Sequence, residues 1–247
     1  MNYDWTPLRK ALATSRAQRV SVPLWWRDDD AIIATRALDH LTDLSRRTGI
    51  PVHLAIIPAH VDPALPDLLD PDYMLPIVHG WAHTDHSRPD EKKNEFLTVR
   101  AHSVQETRLA MEKLTGLFGP RLRRMFVPPW NRINPAVTAA LAGQGYQCLS
   151  TFGARHAASL SGLSLVNTHV DPIWWNGTRD LLDPDALITR AATHIEARAQ
   201  GLADADEPFG LLTHHLVHSP AIWAFAEAFL TEMQTGGASR WTMENKV

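Results

Sequence analysis

The chain has 247 residues, with 24 Lys and Arg against 27 Asp and Glu, and a formal net charge of −3. Hydrophobic residues make up 45% of it, which excludes intrinsic disorder and describes an ordinary globular protein. No basic excess exists to neutralise phosphates, so a nucleic-acid binder held mainly by charge is excluded as well. Cys148 is the single cysteine, so no intrachain disulfide can form. There is no run of about 18 apolar residues and no apolar core in the N-terminal segment. The sequence therefore predicts no membrane span and no signal peptide, with the cytoplasm as the expected compartment. It does not specify an oligomeric state.

In chain order, Thr6-Pro7 reads as a helix start, with Thr6 as N-cap and Pro7 in the first helical position. Residues 20–26 are apolar and partly β-branched, predicting a strand that ends in Asp28-Asp29-Asp30. Helical spacing of Ile33, Ala37, Leu41 and Leu44 predicts a helix over 32–47, closed by Gly49. Further strands are predicted at 52–57, 75–78, 125–127, 147–151, 163–170 and 209–213, and further helices at 102–118, 134–143, 184–200 and 220–233. This alternation, with roughly seven strands and no linker, predicts one α/β domain over residues 1–247, built on a mainly parallel sheet. Such a sheet can close into a barrel, and its ligands sit at the C-terminal ends of the strands. The polar and aromatic clusters fall at those ends: Asp28 to Asp30, His79, Pro128 to Trp130, Asp171 and His214.

His79 and His83 are four residues apart, a spacing that puts two imidazoles on one face of a helical turn and within reach of one ion. Their plainer reading is a surface or hydrogen-bonded pair. Three adjacent carboxylates at 28–30 repel one another unless a metal ion or Arg27 relieves them. A helix N-cap with an acidic first turn is the alternative, and it explains one Asp better than three. Two His and one carboxylate form the ligand set of several hydrolytic zinc sites with open water positions. A spare Asp then serves as general base and a separate His as general acid. His214, emerging from a buried strand, suits the acid, although a core or capping histidine is the simpler reading. Trp81, Trp130, Trp174 and Trp175 are either sugar-stacking platforms or core residues.

Together these clusters resemble the polysaccharide deacetylase family with the NodB homology domain, a carbohydrate esterase family 4-like group. The resemblance spans residues 28 to 214. It implies a distorted (β/α)7-type barrel of the glycoside hydrolase/deacetylase kind, and a divalent metal. The Asp-Asp motif lies within Arg27-Asp28-Asp29-Asp30, and aligns best with Asp29 as base and Asp30 as metal ligand; Asp28/Asp29 is the other register. The His-Ser/Thr-x-x-His motif matches His79-Gly80-Trp81-Ala82-His83, with both His as ligands and Gly in the second place. The Arg-x-Pro-Pro-aromatic motif matches Phe126 to Trp130 without its Arg, which Arg27 or Arg132 would replace. Asp171 to Trp175 loosely matches the Asp-Trp motif. Leu212-Thr213-His214 matches Leu-x-His, making His214 the acid, with His215 where many members carry Asp.

The resemblance implies removal of an N- or O-linked acetyl group from a sugar or glycan. Arg27, Trp81, Pro129, Trp130, Asn131, Asp171, Trp174 and His215 are then expected to line the substrate. Zn²⁺ is the expected metal, with Co²⁺, Ni²⁺ or Mn²⁺ able to use similar ligands. Two rival readings stay open: a metal-dependent amidohydrolase acting on a small non-glycan amide, and a non-catalytic carbohydrate-binding relative.

Overall fold

The strand expected at 20–26 starts later and runs further. β1 spans Pro23–Ala31 and carries all three aspartates inside it, because Arg27 and Asp28 still pair with strands on both sides. The structure is a computed structural model and describes residues 3–246. Before β1 lies α1 (Thr6–Ala17). After it come α2 (Arg36–Thr48), β2 (Val52–Ile56), the one-turn α3 (Leu65–Leu68), β3 (Met74–His79), α4 (Ser103–Phe118), β4 (Met125–Val127) and α5 (Pro135–Leu141). The chain continues through β5 (Cys148–Leu149), β6 (Ser159–Leu160), β7 (Leu163–Leu165), α6 (Pro184–Ala199), β8 (Phe209–Thr213), α7 (Pro220–Thr235) and β9 (Ser239–Arg240).

The sheet order is β6-β7-β5-β4-β3-β2-β1-β8. Its ladders are parallel except β6 against β7, and β9 adds a short parallel pairing at the start of β1. The expected strand 163–170 is regular only at its start. Its continuation pairs singly, Thr168 with Phe152 and Val170 with Leu211. The Leu212 amide donates to the Val170 carbonyl at 2.8 Å, so an irregular seam joins the two ends of the curled sheet. The result is the expected distorted α/β barrel.

Helix boundaries follow local chemistry. Thr35 caps α2 by accepting from the Leu38 amide, so that helix begins after Ile33, which is exposed in the loop. Gly49 closes α2 at φ +68, a left-handed value that glycine adopts without a Cβ penalty. Asn134, Asp183 and Ser219 cap α5, α6 and α7 in the same side-chain-to-amide way. Thr6 is the first residue of α1 rather than its cap; its amide donates to the Asp4 carboxylate. β6 and β9 are two-residue strands, too short to show a periodic pattern.

Residues alternate between two apolar layers. Trp26, Leu54, Ile56, Val78 and Phe126 pack outward under the helices. Trp25, Ala55, Ile77, Met125, Val127, Cys148 and Val166 form a second cluster inside the barrel, closed at one end by Met243. The period of two then sends Arg27 and Asp29 on β1, and His79 on β3, to the inward side above that cluster.

His53 belongs to the closed end. Its Nδ1–H donates to the Trp26 carbonyl at 3.2 Å and its Nε2 accepts from the Met243 amide at 3.0 Å. Burial pushes its pKa down to about 4, since a second ring proton would face the Met243 N–H. Folding thus favours neutral His53. That contribution is complete above the ordinary pKa of 6.5 and is lost as pH falls toward 4. The loss amounts to roughly 3 kcal/mol. Urea denaturation of wild type and His53→Leu between pH 7 and pH 4 should show a shallower pH dependence in the variant. Equal slopes would count against a buried neutral His53.

Candidate metal and catalytic site

A bulge in β1 makes the site. Asp28 pairs with Leu54 and Ala31 with Ile56, so β1 advances three positions while β2 advances two. The extra residue breaks the alternation, and Asp30 takes φ +76. Three consecutive carboxylates consequently face three different partners.

Asp28 is fully buried on the outward side. Its Oδ2 accepts from Thr213 Oγ1 at 2.6 Å and from the His215 amide at 3.0 Å, while Oδ1 lies 2.5 Å from His215 Nδ1. Burial alone would raise its pKa, but the charge and hydrogen bond of His215 outweigh it and hold Asp28 low. The same pairing raises His215 against its own burial.

Asp29 faces inward with Arg27, two residues back on the same strand. Arg27 Nε stands 2.9 Å from Oδ1, and Nη2 donates to Oδ2 at 3.0 Å. The guanidinium is itself held by Ser150 Oγ at 2.8 Å, the Thr151 carbonyl at 3.3 Å and Asn131 Oδ1 at 2.8 Å. Asn131 reaches it because Trp130 and Asn131, after the stiff Pro128-Pro129 pair, both take positive φ. Arg132 points elsewhere, donating to the Lys93 carbonyl. Of the two arginines that sequence left open, Arg27 is the one on the aspartate.

Asp30 turns to the histidines, with Oδ1 at 3.1 Å from His79 Nε2 and 3.3 Å from His83 Nε2. His79 and His83 do not share a helix. His79 ends β3, and a turn with Gly80 at φ +56 and His83 at φ +54 brings the second ring back. His79 Nδ1–H donates to the Val127 carbonyl at 3.1 Å, which fixes the tautomer and leaves Nε2 facing Asp30. Trp130 covers His83, ring centroids 4.3 Å apart. Asp30 is raised by burial, yet the His79 hydrogen bond and charge outweigh this and hold it well below the usual carboxylate range. His79 is raised despite burial by Asp29 and Asp30, whereas His83 is lowered by burial and by His79.

Oxygen and nitrogen donors of Asp30, His79 and His83 all lie within 4.8 Å of one another. Two imidazoles and a carboxylate suit a zinc-type ion. These residues fit the implied metal.

His214 follows β8, its Nε2 3.9 Å from Asp29 Oδ2. Trp175 meets it edge-on at 4.7 Å, and Trp175 Nε1 donates to Asp171 Oδ2 at 2.7 Å. Asp171 is raised by burial, an effect that His214 opposes.

Several residues expected against the substrate sit elsewhere. Arg27 and His215 are buried and spent on Asp29 and Asp28. Pro129 is buried, its ring against Gly80, and Asn131 is spent on Arg27. Trp81 packs its ring against the outer core. Trp174 and Trp175 are exposed, and Trp130 is half-buried over His83. The sequence reading missed Glu95, a buried carboxylate that accepts from the Trp81 amide at 3.2 Å and the Ala82 amide at 2.7 Å. It also missed Ser150; neither lies in a motif, and only the folded chain brings them to the site.

Two outcomes are expected. Arg27→Met should leave Asp29 buried without its counter-charge and cost about 3–5 kcal/mol in urea denaturation. Zn²⁺ titration of chelator-stripped protein should show one site that is lost in His79→Ala. Binding should weaken as pH falls, because protons compete with the ion for the imidazole nitrogens.

No protein-family model matches the sequence, and no curated protein sequence matches it. Solved structures do. A family 4 carbohydrate esterase from Streptomyces lividans, in complex with acetate, is similar at TM-score 0.58 and 14% identity, over 91% of this chain and 94% of the esterase. A polysaccharide deacetylase from Bacillus cereus matches at TM-score 0.55 and 14% identity, over 91% and 94% of the two chains. A family 4 pseudoenzyme from Bacillus anthracis matches at TM-score 0.54 and 11% identity, over 89% of this chain and 63% of that one. The chain therefore has the fold of the family 4 carbohydrate esterases, including the polysaccharide deacetylases.

Proposed function

We propose that this protein is a metal-dependent hydrolase that removes an acetyl group from a sugar-containing substrate. One observation carries the reading. The Asp30, His79 and His83 donors converge beside Asp29, and His214 Nε2 lies 3.9 Å from that aspartate. Ligands, base and acid thus occupy one edge of the barrel. When bound, a divalent ion such as Zn²⁺ supplies Lewis-acid polarisation of the acyl carbonyl and a water of lowered pKa.

The chain's own residues do the rest. Asp29, locked in one orientation by Arg27, accepts a proton from the attacking water through its Oδ2. His214 Nε2 faces the same space and delivers a proton to the departing nitrogen or oxygen. Asp171, through Trp175, limits how the His214 ring can turn. Trp174 and Trp175 are 47% and 40% accessible, and Trp175, edge-on to His214, offers a sugar ring an apolar surface beside the acid. Among the described residues no helix is long and apolar enough to cross a membrane. Within the proposal the substrate is met in the cytoplasm, as a small or carrier-linked acetylated sugar.

The test is acetate release from a panel of N- and O-acetylated sugars by Zn²⁺-loaded protein. Asp29→Asn and His214→Ala should each lower the rate by about 10²–10⁴-fold while metal binding persists. Turnover of small amides but not of acetylated sugars would favour the amidohydrolase reading. Sugar binding without turnover by the loaded protein would make this chain a non-catalytic relative, as in the pseudoenzyme of the same fold.

A further inference from the structure

The geometry points to Glu95 as the positioning residue of the metal-ligand turn: its buried carboxylate holds the turn of residues 80–82 so that His79 and His83 converge on one ion. This rests on the metal reading above and adds a residue that no motif contains. Both carboxylate oxygens are used. Oε2 accepts from the Trp81 amide at 3.2 Å and Oε1 from the Ala82 amide at 2.7 Å. Those two amides lie between the two histidines in the chain. In a turn with positive φ at Gly80 and His83, they have no ladder partner, so the carboxylate supplies their hydrogen bonds.

Gly80 makes room for this. A Cβ built there would lie 2.3 Å from Glu95 Oε2 and 2.5 Å from Pro129 Cδ. Any side chain at position 80 would displace the carboxylate, and the φ of +56 disfavours one independently. The motif's altered second place and the buried Glu95 are thus two halves of one arrangement. Glu95 is anchored in turn. Its carbonyl accepts from Arg100 Nη2, and its neighbour Phe96 is buried edge-on against Phe126 at 5.6 Å. Asn94, on the other side, accepts the Leu97 and Thr98 amides and fixes the local turn.

The experiment measures Zn²⁺ affinity of chelator-stripped wild type, Glu95→Gln and Glu95→Ala by calorimetry, with amide hydrogen exchange at Trp81 and Ala82. Glu95→Gln keeps the volume but sets an amide NH₂ against one of the two donors. It should weaken Zn²⁺ by about 10-fold, and Glu95→Ala by about 100-fold, the range for residues that orient metal ligands. Glu95→Ala should lose exchange protection at both Trp81 and Ala82, and Glu95→Gln at the one amide that its NH₂ faces, even without metal. Met243→Ala, at the opposite end of the barrel, should lower thermal stability without moving the Zn²⁺ affinity. Unchanged affinity in folded Glu95 variants would overturn the inference and leave the metal reading intact. Failure of wild type to bind Zn²⁺ would overturn both.

Discussion

One extra residue in β1 governs the site. Without the bulge, Asp28 and Asp30 would point to the same face, and two carboxylates would compete for one environment. With it, Asp28 is bound to β8 and the turn after it, Asp29 to Arg27, and Asp30 to the histidines from the end of β3. Each negative charge meets its own partner. That separation makes three adjacent aspartates tolerable in a largely buried strand.

The same strand supplies its own counter-charge. Arg27 and Asp29 share the inward face because strands repeat every two residues, so the pair needs no long-range contact to meet. Long-range contacts instead hold the guanidinium still, through Ser150, Thr151 and Asn131. Arg27, rather than an arginine of the Pro-Pro segment, is the one that meets Asp29. The Pro-Pro segment instead contributes Asn131 and the Trp130 ring over His83.

The barrel separates tasks along its axis. Its closed end is apolar around Trp25 and Met243, with His53 kept neutral by the hydrogen bonds it makes. Its open end is polar and holds the carboxylates and histidines. Between them, the shortness of β4, β5 and β7 and the single pairings at the seam account for the distortion of the barrel. Irregular backbone beyond those strands carries Asn131, Asp171 and Trp175, where side chains must be aimed rather than merely alternated.

Much of this was legible in the sequence. Alternating apolar runs and capped amphipathic segments determined a mainly parallel α/β barrel, because burial periodicity and caps are local properties. The Asp cluster at 28–30 and the His79/His83 pair were legible as candidate ligands from residue type, and the fold brings donors of Asp30, His79 and His83 within 4.8 Å of one another, through a turn after β3 rather than one helix face. Other features required tertiary structure. Where β1 ends depends on its pairing with β2 and β8, not on its own residues. The separate fates of the three aspartates depend on a bulge defined only by the partner strand's register. Arg27 and His215 were assigned to the substrate because charge and position alone do not reveal burial; the folded chain spends both internally. Glu95 carries no local signal, since its role comes from amides 14 and 13 residues earlier in the chain and from the space a glycine leaves there.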